Sequence, residues 1–349
     1  MDPRIACDKE SLLRRSGMKL SGTVCCFLFF IFACDIPTAL PILEQRWVLP
    51  LDQAMIGVEQ LLPAGVTMND GALKVTVDTF STSTLLDSLC AECIGLDGST
   101  AVIPAFTSSF NSSSNLPANI SDVEVSSGSV HVVLTNGLSF DPLAGGGSVQ
   151  VALTNGQGGS QLAQVDFNGA IISGSSLTQS LSINSSRIDT TIFASVEVIS
   201  PGGQVALVDV SEQLTVAATD IALIISSGTV NLESHQVEID PIQLDLEHIG
   251  SEVTEKIVNG SLILDVVNPF GVSLTGNINI GPTSKGFAIS ESGVSTTAVS
   301  YTGNELRSFL GKKGVTLSLS GTAGGSSITV RSGQELTIEV KLDCVIRMG

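Results

Sequence analysis

Residues 128–137 read GSVHVVLTNG, and nineteen residues later 147–156 read GSVQVALTNG; the two agree at eight of ten positions. In each, two valines and a leucine fall at every second position: Val130, Val132 and Leu134, then Val149, Val151 and Leu153. Side chains of a strand alternate between its two faces, so this period gives each segment one apolar face. The connection LSFDPLAGG (138–146) holds Pro142 and glycines that let the chain reverse. Two like-patterned strands joined in this way are expected to pair antiparallel and to cover a core with their common face.

The same pattern extends outward. Residues 164–167, 177–183, 191–199, 204–208 and 221–225 read as strands, separated by turns such as Pro201-Gly202-Gly203. Residues 260–268, GSLILDVVN, repeat the shape of 128–136 and run through Pro269-Phe270 into VSLTGNINI, 272–280. Strands follow at 315–320, 327–330 and 335–345, after a short helix at 304–310 that Gly311 and Gly314 close. Nearer the N-terminus, 55–61 and 73–77 alternate as strands, and Thr84–Cys90 reads as a short helix. An amphipathic helix is expected near 246–258. The polar, aperiodic stretch 108–119, SSFNSSSNLPAN, reads as a linker. The expected fold is all-β. Two related antiparallel β-sandwich units, 118–230 and 255–349, are joined by a connector at 231–254 and lie behind a smaller β-rich unit, 51–117. Abundant Val, Ser, Thr and Gly agree with a β composition.

Val266-Val267-Asn268-Pro269-Phe270, a strand ending in Asn-Pro-Phe before a hairpin partner, resembles the LEA-14/WHy (water stress and hypersensitive response) domain. Leu134-Thr135-Asn136-Gly137 is a weaker echo, with Gly137 where that family carries proline. The resemblance covers about one strand pair per unit. It implies immunoglobulin-like sandwiches with a non-enzymatic, protective or interaction role.

Val24–Ala33, VCCFLFFIFA, is an unbroken apolar run. At about 1.5 Å per helical residue it is far short of a hydrocarbon core of about 30 Å, but it suits the core of a secretory signal. Arg14, Arg15 and Lys19 supply the positive flank, and Met18 offers a second start that leaves 1–17 as an upstream extension. Ile31-Phe32-Ala33-Cys34 resembles the lipobox of bacterial lipoproteins, with Phe32 bulkier than that family usually carries. That resemblance implies cleavage after residue 33, lipidation of Cys34, a tether over 34–50, and a place in the bacterial cell envelope held to membrane by lipid on Cys34. An ordinary signal peptide cut nearby and an uncleaved anchor are the other readings. Beyond residue 33 the chain carries 11 basic and 31 acidic residues. A surface so acidic repels nucleic acid, which removes that class of partner and leaves an envelope protein as the expected one.

Chemistry-bearing residues are sparse. Cys90-Ala91-Glu92-Cys93 reads as a local structural disulfide, with a redox pair and half of a zinc site as the alternatives. Zinc would need two more ligands from Cys344, His131, His235 and His248, whose spacing shows no ligand pattern. Cys25 and Cys26 leave with the signal, and Cys344 reads as a buried core thiol. His131 is placed on the polar face of its strand, and His235 and His248 stand among acidic residues. Asp141, Asp240 and Asp245 lie in turn-like stretches without the alternating carboxylates of a calcium loop. There is no GxSxG, HExxH or Walker A motif. No catalytic residue, cofactor or metal is expected. The reading is a lipid-anchored, non-catalytic structural or protein-binding body. A carrier sheltering an apolar ligand between β layers, and a hydrolase with a non-local site, are the alternatives.

Overall fold

The computed structural model describes residues 42–348 except Ser292. The proposed signal, lipobox and Cys34 lie outside the described residues. The described residues open with β1 (Leu43–Gly57), so the tether expected to run to residue 50 gives way to a strand well before it. Pro50 sits within this strand, which is tolerated because β1 is the outermost strand of its sheet. Next come β2 (Val66–Asn69), β3 (Ala72–Val77) and β4 (Phe80–Leu85). The helix expected at 84–90 is a single turn, α1 (Leu86–Leu89), followed by β5 (Thr100–Val102).

The stretch expected to be a linker at 108–119 is mostly strand: β6 (Phe106–Asn115). One side of β6 is paired along its whole length with the strand at 191–200, and on the other side its serines act in place of a ladder. Ser108, Ser112 and Ser114 donate their hydroxyls to the carbonyls of Ser88, Ser81 and Asp78, at 3.4, 3.5 and 3.3 Å. A run without apolar periodicity is thereby stitched along the margin of β4.

The first sandwich continues through β7 (Ile120–Asn136), β8 (Ser148–Asn155), β9 (Gln161–Asn168), β10 (Ser176–Ile188), β11 (Thr191–Ser200) and β12 (Val205–Leu207). Both GSV segments are strands and bury the predicted faces: Val130, Val132, Leu134, Val149, Val151 and Leu153 are at most 1 % exposed. They do not pair with each other. β7 lies between β10 and β13 (Gln213–Leu244), while β8 lies between β9 and β11 in the facing layer. Leu138, Phe140 and Leu143 in the connection are buried, so that segment crosses the core instead of turning back along one sheet.

β13 is 32 residues long and runs through the expected boundary at 230 and most of the expected connector at 231–254. Its first half pairs with β7, β3 and β4; its second half pairs with β18 (Val315–Arg331). The remainder of the second sandwich is β14 (Ile257–Val267), β15 (Ser273–Ile280), β16 (Thr283–Ile289), β17 (Val294–Thr302) and β19 (Glu335–Met348). In place of the amphipathic helix near 246–258 there is one turn, α2 (Ser251–Thr254). The helix predicted at 304–310 is α3 (Gly303–Phe309), started by a capping box in which Thr302 and Glu305 satisfy each other's backbone N–H groups.

The two sandwiches share one strand order. The pairings β6-β11-β8-β9 and β10-β7-β13 of the first recur as β13-β18-β15-β16 and β17-β14-β19 in the second. β13 is therefore the last strand of one unit and the first of the next. The expected separate unit at 51–117 does not exist as such: β3 and β4 extend the first sandwich on β13, and β1 extends the second on β19. Residues Glu44–Arg347 form one contact unit.

The duplication reaches single atoms. Asn136, at the end of β7, is 0 % exposed, and Asn268, just past the end of β14, is 1 % exposed. Asn136 donates from Nδ2 to the carbonyls of Phe140 and Ile171, both at 2.8 Å, and its Oδ1 accepts from the Leu138 N–H at 2.9 Å. Asn268 donates to the carbonyls of Val272 and Ser290, at 2.7 and 3.2 Å, and accepts from the Gly271 N–H at 3.2 Å. Each carboxamide satisfies backbone groups that a chain leaving its sheet would otherwise bury unpaired.

Candidate docking surface

Among the residues singled out in the sequence, the fold brings Cys90 to Cys93 and His248 to Asp245, while Cys344, His131, His235, Asp141 and Asp240 stand apart. Cys90 and Cys93 are joined in a disulfide, and both are at most 2 % exposed. Burial withholds the sulfurs from the exchange partners a redox pair needs, so the bond acts as a structural clamp. Cys344 is buried on β19, and burial raises its thiol pKa, with the charge of Asp343 adding to the effect. His131 Nδ1 lies 3.2 Å from Asp220 Oδ2, and His235 Nε2 lies 2.8 Å from the Gln60 carbonyl. His248 Nε2 lies 3.4 Å from Asp245 Oδ2. These partners are carboxylates and a carbonyl, with no nucleophile to activate. Asp141 caps its own turn, its Oδ1 accepting from the Leu143 N–H at 2.9 Å, and Asp240 is exposed on β13.

Asp245, Glu247 and His248 could offer ligand atoms within 4.8 Å of one another. All three are exposed, and the Lys313 ammonium stands 3.7 Å from Glu247, a cation where a metal ion would have to approach. Between the layers, space is taken by side chains such as Phe167, Phe309, Leu134 and Leu153. An apolar pocket under Trp47, Val253, Leu310 and Cys344 holds about 150 Å³, below the roughly 300–1,000 Å³ of ligand clefts.

What remains is surface. Two margins of the first sandwich are closed: β6 lies on β4, and β9 lies on β10, where Gln179 Nε2 donates to the Asp166 carbonyl at 3.4 Å. In the second sandwich β16 lies along β17, with Thr297 donating to the Ala288 carbonyl at 2.9 Å. β1, by contrast, is bonded to β19 on one side and, among the described residues, ends its sheet on the other. It exposes Val48 and Met55. Beside it runs a cleft of about 490 Å³ between Pro50–Gln53 and residues of β14, β17 and β19.

The outward face of this sheet is laced by charge pairs. Arg46 Nε donates to both carboxylate oxygens of Asp343, at 2.7 and 2.9 Å, which raises the arginine pKa and lowers that of the aspartate. Lys341 reaches Asp265 and Glu339, both at 2.9 Å. Hydrogen bonds from Thr296 and then Lys341 hold the Asp265 carboxyl below its ordinary range. Beside α3, the Lys285 ammonium first and the Thr302 N–H second pull Glu305 down to about 2. The sequence pairs Asn268 with Asn136 at matching strand ends but does not show which backbone groups their carboxamides satisfy, nor that β1 is the strand left at an edge.

No protein family matches the chain, and no curated protein does. Among solved structures, a Parabacteroides distasonis protein assigned as secreted is similar with a TM-score of 0.35 and 10 % identity, over 86 % of this chain and 99 % of that one. The structure of Broad Bean Stain Virus gives a TM-score of 0.22 at 12 % identity, over 82 % and 93 %. PNGase F, a glycosylasparaginase from Flavobacterium meningosepticum, gives 0.18 at 8 %, over 78 % and 100 %. Likeness at this level says nothing about activity.

Proposed function

We propose that this chain is a lipid-anchored protein of the cell envelope, in which acylated Cys34 holds a non-catalytic pair of β-sandwiches at a membrane and β1 offers an edge for an extended segment of an envelope partner. The observation that carries the binding role is the open outer side of β1, set against the sealed margins β4/β6, β9/β10 and β16/β17. An unpaired strand edge supplies backbone donors and acceptors that a partner strand completes. Pro50 limits that pairing to the segments on either side of it. A location outside the cytoplasm is supported by the Cys90–Cys93 disulfide, a bond that persists in oxidising compartments. The paired asparagine corners support the likeness to LEA-14/WHy sandwiches, whose role is protective or binding. Anchoring is tested by Cys34→Ser. The expected product lacks acyl mass and no longer sediments with vesicles; unchanged mass and sedimentation would overturn the reading. Edge binding is tested by crosslinking in the native envelope, with crosslinks from β1 to another protein expected.

A further inference from the structure

We propose that the end of the second sandwich where the chain enters β1 lies against an anionic phospholipid surface, so that the acidic remainder of the body stands away from the membrane. The proposal rests on the reading of Cys34 as acylated. Ten residue steps lead from Cys34 to Glu44, and at 3.3–3.6 Å per residue they reach about 35 Å at most. Whatever surrounds Glu44 is therefore held close to the bilayer.

Hydrogen bonds and ion pairs gather four segments there. Glu44 meets Arg347 at 3.0 Å, and the Arg347 N–H donates to the Lys256 carbonyl at 2.9 Å. Arg307 Nη1 donates to the carbonyls of Glu255 and Ile257, at 3.3 and 2.9 Å. Gly311 N–H donates to the Leu246 carbonyl at 3.1 Å, and Lys313 faces Glu247.

Charge is divided unevenly between this end and the rest. Residues 44–347 hold 11 basic and 30 acidic side chains. Six of the basic ones, Arg46, Lys256, Arg307, Lys312, Lys313 and Arg347, lie in segments 44–46, 245–256, 307–313 and 343–347, which contain six acidic residues. The other five basic residues are set against 24 acidic ones. An anionic leaflet repels the acidic portion, attracts exposed lysine and arginine heads, and leaves a neutral end free to approach. Lys312 and Lys313 project from the turn after α3, the latter 87 % exposed. Trp47, the single tryptophan, is half-buried on β1 at the same end, and tryptophan is at home at the headgroup level.

That tryptophan makes the test direct. The full acylated chain is reconstituted into phosphatidylcholine vesicles containing phosphatidylglycerol, with a quencher carried near the headgroups. The protein is expected to co-sediment and its Trp47 emission to fall, with quenching weakening as salt shortens the Debye length from about 30 Å at 0.01 M to about 10 Å at 0.1 M. Lys312→Glu/Lys313→Glu is expected to sediment as before while losing about half or more of the quenching. Co-sedimentation without quenching, the result if a protein covers this end, would overturn the orientation and leave the anchor intact. So would quenching that ignores both salt and the charge reversal. Failure of the wild type to sediment would remove the acylation reading and this proposal with it.

Discussion

Asn136 and Asn268 do for side chains what a ladder does for backbone. Each has its carboxamide donors and its oxygen engaged by main-chain groups in a dry corner. Asn136→Ala strands the carbonyls of Phe140 and Ile171 and the Leu138 N–H, all buried and each worth roughly 1–3 kcal/mol, whereas at Asn268 the bond to the Val272 carbonyl is the fully buried one. We expect Asn136→Ala to lower stability by about 3 kcal/mol or more in urea titration and Asn268→Ala by about 1–3 kcal/mol; a loss under about 1 kcal/mol at Asn136 would show that water or local shifts replace the amide. Tyr301, the single tyrosine, is the opposite case. It is 2 % exposed against Phe309, with rings 5.9 Å apart, and its hydroxyl has no hydrogen-bond partner among the described residues. Burial first, and the Glu305 charge second, push its pKa up to about 12 from an ordinary 10. A raised folded-state pKa means that the stability from neutral Tyr301 is whole below pH 10 and is lost as pH rises from 10 towards 12. Tyrosinate absorbance should therefore appear near pH 12 or with unfolding, and a midpoint at 10 in the folded protein would contradict the burial. Tyr301→Phe should keep stability at neutral pH and flatten this alkaline loss.

At the scale of elements, the alternation in 128–137 and 147–156 identified strands and their buried faces correctly, yet not their partners. A period of two records which side of a strand is dry; it carries no information on which strand lies alongside, and the connection at 138–146 suggests a reversal through Pro142 and its glycines although Leu138 and Phe140 carry the buried alternation of β7 onward. β6 differs from the expected linker for a related reason: a backbone ladder to β11 holds it, and its serine hydroxyls, rather than an apolar stripe, face the segment 78–88. The glycines of β15 and β18 mark a close approach of another kind. Gly276 pairs with Gly321, and a Cβ at Gly276 would stand 2.1 Å from the Ser320 carbonyl oxygen. Gly276→Ala must push β15 and β18 apart. Overpacking of that kind costs about 1–3 kcal/mol. A lowered thermal midpoint checks it, and an unchanged one would mean that the strands separate freely.

For the whole molecule, the shared strand β13 decides the behaviour. Because its 32 residues belong to both sandwiches, neither can lose its margin without exposing the other's. Residues 44–347 are expected to unfold in one calorimetric transition; two resolved transitions would show that β13 parts in the middle. The sequence by itself determined the strand class, the apolar faces and the short helix expected at 304–310, because those follow from local periodicity and residue chemistry. Only the tertiary structure decided that the N-terminal strands are shared between two sandwiches, that β7 and β8 face each other across a core, that the asparagine corners are twins, and that β1 is left with an open edge. Those are facts about long-range pairing, set by which dry faces meet and which backbone groups then need partners, and a strand's own residues do not encode its neighbour.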